Sequence, residues 1–450
     1  MRSLAIKQKI HTLSTARIIP LGFFLLIVVG TLLLLLPVST APGNSTDFVT
    51  ALFTSTTSVC VTGLVVVDTF SHWTIFGKVV ILILIQFGGL GVITVSSAFL
   101  MALRRKMSLK DNLLIMDAFN LSSLKGLSVF LRKVIAWTFS IEALGAALYM
   151  IAFVPEFGWG KGITVSVFTS ISAFCNAGID IIGPDSLMPY SSDPLVLIVT
   201  MALIIIGGLG FVVVFDIFGI RRHKRYRLGE HTKLVLSATG ILILTGAVLF
   251  FIFEFSSPDT MGKMSVGDKI LNSFFQSVTC RTAGFASVSQ KALSAPSTFL
   301  SDILMFIGGS PVGTAGGVKT VTVCILLVNT LAFIKKSPPV VFRRRISGDM
   351  IRKATAIITV SFLLVLIFGV AITAACGLEL TDGVFEVISA FGTVGLSRGV
   401  TAGLNVFGRL MIIAAMFMGR IGPISMALFF NARKAEQANV AAAEGKFFVG

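Results

Sequence analysis

The stretch Asp382–Val400, DGVFEVISAFGTVGLSRGV, decides the fold. Its apolar part before Gly395 is too short to cross a bilayer, which takes about 20 apolar residues. A segment of that length directed into a membrane has to turn back, so it reads as a re-entrant half-helix. Bare backbone at that depth is tolerated only where protein or a water-filled cavity surrounds it. The chain carries the pattern four times, in 47–68, 162–183, 268–289 and 382–400. Registered on glycine, the segments end at Gly63, Gly178, Gly284 and Gly395. A phenylalanine stands ten residues before each (Phe53, Phe168, Phe274, Phe385), and two residues before each stand Val61, Asn176, Thr282 and Thr393.

Long apolar runs flank every segment: 18–36, 74–103, 134–154, 194–220, 234–255, 299–334, 354–376 and 407–430. With 55% hydrophobic and 13% charged residues among 450, and a mean hydropathy of +0.93, the chain is not a soluble domain. The expected fold is an all-α integral membrane protein. Eight transmembrane helices form four tandem span–pore-loop–span repeats around one pseudo-fourfold pore. The N-terminus is 1–17, the repeats are 18–103, 134–220, 234–334 (its second span broken) and 354–430, and the tail is 431–450. The first apolar run is longer than a signal-peptide core, so it reads as a membrane helix and not a cleaved leader.

The net charge of +16 does not point to nucleic acid. Its Lys and Arg lie in short loops between apolar runs, as the positive-inside rule produces, which puts both termini in the cytoplasm. Five scattered cysteines (Cys60, Cys175, Cys280, Cys324, Cys376) and four histidines suggest neither a disulfide framework nor a metal cluster.

Four such segments around one axis would form a ring of backbone carbonyls. Thr393-Val394-Gly395-Leu396 is one aromatic short of the potassium-channel filter sequence, and carbonyl oxygens of that kind replace the hydration shell of a monovalent cation. Glycine allows the backbone turn that the ring needs, and the half-helix C-termini favour positive charge. The expected ion column is Val61-Thr62-Gly63, Asn176-Ala177-Gly178, Thr282-Ala283-Gly284 and Thr393-Val394-Gly395. None of the four has an acidic residue within three positions before its glycine, which argues against divalent selectivity. Three lack the full Thr-Val-Gly string, so a shorter column with some sodium passage is expected. The plainer alternative is that these glycines only let helices pack closely.

The sixth span is interrupted by Gly308-Gly309-Ser310-Pro311-Val312-Gly313-Thr314-Ala315-Gly316-Gly317, which cannot continue a helix cheaply. Gly88–Gly91, Gly207–Gly210 and Gly419–Pro423 are its counterparts in the other repeats. The run through Lys319 misses a phosphate-binding loop by one valine and follows no strand, so ATP binding is rejected. A loop beneath the filter suits a gate; a passive kink is the alternative. Arg420, inside the last span, is expected to hold that loop through its carbonyls. Glu142 is read as a buried partner of polar groups in preference to a transport site. Asp216 is expected to pair with basic residues at the cytoplasmic end of its span. Arg281 and Arg398 are expected on the outer side of filters three and four, solvated or tied to carboxylates such as Glu386.

These motifs, with GGSPVGTAGGVKT (308–320) and MGRIGP (418–423), closely resemble the Trk/Ktr/HKT superfamily of potassium transporters, over roughly residues 15–430. Starting directly at the first span, the chain most resembles KtrB-type membrane subunits of bacterial Ktr uptake systems. The resemblance implies a homodimer with one pore per subunit, embedded among membrane lipids in the plasma membrane of a bacterium. It also implies potassium uptake, activation by sodium, and a gate at 308–317 held by Arg420. Control would come from a KtrA-like cytoplasmic ring subunit that binds ATP or ADP. No cofactor beyond potassium and sodium ions is implied in this chain, and no enzymatic activity. Glycine at position 63, where some sodium-carrying relatives have serine, favours potassium. An ion-coupled secondary potassium carrier built on broken helices remains the alternative; a non-transporting scaffold leaves four registered glycines unexplained.

Overall fold

The computed structural model describes residues 15–91, 94, 95, 97, 127–222, 227–422 and 426. The N-terminal 1–14, most of the first basic loop, the second half of the expected second span, the end of the eighth span and the tail lie outside these.

Each repeat begins with a helix, sends a shorter one inward and returns with a third. In the first repeat these are α1 (Thr15–Leu34), α2 (Phe48–Cys60) and α3 (Ile75–Leu90). Asp47 and Thr74 cap α2 and α3, accepting from Val49 N and Gly77 N. In the second repeat the span and half-helix are one helical run, α4 (Leu127–Cys175), broken at Gly158 (φ 76°, ψ 168°) just after Pro155. The span thus starts earlier than 134. α5 (Pro194–Gly208) and α6 (Phe211–Arg222) follow, bent by 94°. The fourth span is therefore broken, not continuous as expected, because Gly207, Gly208 and Gly210 give the turn no resistance.

The third repeat has α7 (Glu230–Glu254), α8 (Val266–Thr279), α9 (Ala295–Phe306) and α10 (Thr320–Ile334), with the expected interruption between the last two. A two-stranded hairpin, β1 (Val340–Val341) and β2 (Arg344–Arg345), leads to α11 (Gly348–Cys376), α12 (Leu380–Gly392) and α13 (Val406–Ile421). The parts of α4, α7 and α11 that open their repeats are long and apolar enough to cross a membrane, and the bent α5–α6 pair would be a fourth crossing. The other apolar helices are shorter, so continuous helices alone do not make eight spans among the described residues.

Packing closes the repeats into a ring. The inward helix of each repeat lies against its own first helix, and the returning helices α3, α5, α9 and α13 each pack on the next repeat, α13 coming back to α2. The first three half-helices are fixed the same way. Ser55 Oγ donates to Ile27 O (2.8 Å), Ser170 Oγ to Glu142 O (2.7 Å) and Ser277 Oγ to Ile243 O (2.9 Å). A glycine three residues after each acceptor (Gly30, Gly145, Gly246) leaves room for the hydroxyl, where a Cβ would collide with it. In the fourth repeat the roles are exchanged: Gly383 on α12 faces Thr373 of α11.

Candidate functional site

Each half-helix leads into a left-handed residue, directly in the first, second and fourth repeats and two residues beyond the right-handed cap Cys280 in the third. φ is 55° at Val61, 59° at Asn176, 70° at Thr282 and 51° at Thr393. The glycine two residues on is again positive, at 101°, 63°, 80° and 97° for Gly63, Gly178, Gly284 and Gly395. Between them the N–H groups turn back to the half-helix: Thr62 N donates to Thr57 O (2.9 Å) and Gly63 N to Thr57 Oγ1 (3.0 Å). Val394 N and Gly395 N do the same to Ser389 O (2.8 Å) and Oγ (3.1 Å). With the donors engaged behind, the carbonyls stand in front. Among the described residues, those of Thr62, Ala177, Ala283 and Val394 accept no hydrogen bond.

These carbonyls lie against one another's segments in cyclic order. A Cβ built on Gly63 would stand 2.6 Å from Ala177 O, and one on Gly178 2.5 Å from Ala283 O. On Gly284 it would overlap Val394 O, and on Gly395 it would overlap Thr62 O. The fourth segment thus meets the first. Beside the ring, Thr62 Oγ1, Asn176 Oδ1 and Thr393 Oγ1 are buried without a protein hydrogen-bond partner. Oxygens so placed suit a cation or its water. The third repeat departs from the sequence register by one residue. Phe275 takes the buried place of Phe53, Phe168 and Phe385, while Phe274 is partly exposed, and the anchoring Ser277 likewise stands one residue nearer its glycine than Ser55 and Ser170 do.

A cavity of about 410 Å³ opens where the chain leaves the four glycines, and Asp68, Asp180, Lys291 and Arg398 share its wall. Burial pushes the Asp180 carboxyl up to about 6, against the pull of hydrogen bonds from Ser186 and the Ile182 N–H.

On the other side of the ring lies the 308–317 loop. Its ends meet through the Ile307–Val318 bridge, and its backbone pairs with the break between α5 and α6. Ser310 N donates to Gly208 O (3.1 Å), Thr314 N to Gly207 O (3.2 Å) and Phe211 N to Val312 O (3.1 Å). Gly316 lies so close under Thr393 that a side chain there would run into its hydroxyl. Arg420 donates to Thr314 O in this loop, as expected, and also to Gly88 O and Gly89 O at the end of α3. Lys319 Nζ donates to Ala315 O (2.6 Å).

The other intramembrane charges sort themselves by partner. Glu142 Oε1 accepts from Gln86 Nε2 (2.9 Å), and Cys175 Sγ lies 3.9 Å from it. Glu142→Gln, which keeps an acceptor for Gln86, is therefore expected to leave ion flux and ion preference unchanged in reconstituted protein. A collapse of flux in folded protein would make Glu142 a transport site. Asp216 accepts from Gly229 N (2.9 Å), capping the start of α7. Arg398 is tied to Asp382 (2.6 Å), Gln290 O and Thr298, and its N–H to Glu386. Arg281 departs from expectation: it is buried behind the ring, not on the outer side, between Thr239 and Thr320. The sequence signalled only its position beside Thr282; the direction of its side chain depends on packing.

The family model for TrkH, a cation transport protein, matches residues 7–441. The chain belongs to this family. It is similar to Ktr system potassium uptake protein B of Bacillus subtilis, with 40% identity over 96% of each chain. It is similar also to potassium/sodium uptake protein NtpJ of Enterococcus hirae, at 39% identity over 94% of this chain and 95% of that one. Among solved structures, the potassium transporter TrkH from Vibrio parahaemolyticus shares the fold, with a TM-score of 0.75 at 17% identity, covering 93% of this chain and 86% of that one. As a member of the TrkH family the chain is a membrane ion transporter of the Trk/Ktr superfamily, and not an enzyme.

Proposed function

We propose that this chain is the ion-conducting membrane subunit of a potassium uptake system, passing potassium and some sodium through a single pore. The observation that carries it is the cyclic closure of four glycine segments with unengaged carbonyls. Eight spans in four span–pore-loop–span repeats, α5–α6 and α9–α10 each counting as one broken span, would put both termini in the cytoplasm. The 308–317 loop acts as the gate, with Lys319 and Arg420 as its fasteners. Potassium as the ion and a second subunit are supported by relatives named Ktr system potassium uptake protein B; a bacterial plasma membrane and a cytoplasmic, nucleotide-binding partner complete the proposal. Sodium as a second ion is supported by the name of the Enterococcus relative. A homodimer is the expected assembly.

The test is potassium and sodium flux into proteoliposomes carrying the purified protein alone. Potassium-preferring flux down its own gradient, without a coupled ion, is the expected result. Strict stoichiometric dependence on a co-transported ion would replace the pore with a carrier.

The vestibule adds a pH dependence. Asp180 shares it with Asp68, Asp185, Lys291 and Arg398, and burial pushes its carboxyl up to about 6. Above that pH it is charged and draws cations toward the ring; below it the charge is lost. At subsaturating potassium, flux should fall as outside pH drops through about 6. In Asp180→Asn it should be low and flat across the same range. An unchanged profile in the variant would remove Asp180 from this role.

A further inference from the structure

Arg281 directly precedes Thr282, yet its side chain leaves the ring for the protein interior. Its Nη2 lies 3.4 Å from the hydroxyl of Thr239 on α7 and 3.4 Å from that of Thr320, the first residue of α10. Nε has no partner, and among the described residues no carboxylate pairs with the guanidinium. A buried cation without a counter-charge is a poor packing element, since an apolar side chain of similar volume is cheaper to bury.

What the arginine does provide is a connection. The Thr320 hydroxyl, which accepts from Arg281, donates to Gly308 O (3.0 Å), and the Thr320 N–H donates to Gly309 O (3.1 Å). The entry and exit of the 308–317 loop are thus joined at Thr320. At the other end, the Arg281 N–H donates to Val278 O (3.1 Å) in the turn that leads to the left-handed Thr282. A short unbroken path runs from the third segment of the ring to the loop beneath it.

We propose that Arg281 is a positioning residue that ties the third filter segment to the gate loop through Thr320, so that the closed loop and the geometry at Thr282 are set together. This rests on the gate role proposed above for the loop. The hydroxyl is the point to test, because Thr320→Val keeps the volume and Thr320→Ser keeps the hydroxyl.

Potassium and sodium flux would be measured in proteoliposomes for Thr320→Val, Thr320→Ser, Arg281→Met and the Val/Met double variant, beside a protein lacking Gly309–Gly317. Thr320→Val is expected to raise unstimulated flux roughly tenfold or more, as loss of a hydrogen bond to a charged group would, and to lower the preference for potassium. Thr320→Ser should behave as the native protein. The double variant should not exceed the larger single effect, because both variants remove the Arg281–Thr320 link. If the loop deletion leaks while Thr320→Val is silent, the link is overturned and the gate stands. If the deletion does not leak, the gate and the link fall together. Additive single effects would also overturn the link. Should Arg281→Met fail to fold, the Val and Ser variants at Thr320 decide.

Discussion

Gly395→Ser is expected to abolish most of the preference for potassium over sodium. Gly395 sits at φ 97°, a conformation that costs a residue with a Cβ about 1–3 kcal/mol. The new Cβ would also overlap the Thr62 carbonyl oxygen and stand 2.8 Å from Gly63 Cα and 3.0 Å from Thr62 C. All three are backbone atoms, so no side chain can swing aside. The first segment cannot retreat as a unit either, because its N–H groups are held by Thr57. The strain has to be released by turning carbonyls away from the ring. Since about 1.4 kcal/mol corresponds to a factor of ten, the potassium-to-sodium flux ratio should fall roughly tenfold or more. A ratio equal to the native one, in protein of native stability, would take Gly395 out of the filter.

Arg420→Ala is the second large effect. The guanidinium joins the loop, at Thr314 O, to α3, at Gly88 O and Gly89 O. α13, which carries it, packs on α2, the half-helix of the first repeat. Three elements distant in sequence thus meet at one fork. Hydrogen bonds from a charged donor are worth about 1.5–3 kcal/mol each, so losing the fork should free the loop and raise unstimulated flux at least about tenfold. Arg420→Lys, a point charge without the fork, should fall between. A lower flux in well-folded Arg420→Ala protein would mean that the loop is a structural kink and not a gate.

Much of the backbone of the candidate site was legible because it is local. Counting back two residues from the registered glycines names the four positions where φ turns positive, since a half-helix that must reverse needs a left-handed residue at its end. The glycine-rich interruption between α9 and α10 was equally plain, because glycine and proline break helices whatever surrounds them. The same rule applied to Gly207–Gly210 would have found the bend between α5 and α6.

What the sequence determined by itself is therefore the short-range part: an apolar chain, four similar segments, the turn at the end of each, and the loop that cannot be helical. Only the tertiary structure decided the rest. It set the cyclic order in which Gly395 meets Thr62, the second anchor of Arg420 at Gly88 and Gly89, and the pairing of Glu142 with Gln86. It also set the one-residue slip that buries Phe275 and the inward course of Arg281. The physical reason is the range of the forces. Backbone sterics act between neighbours and can be read from a few residues. A long side chain takes whichever acceptor the packed helices bring to it, and that acceptor can lie hundreds of residues away.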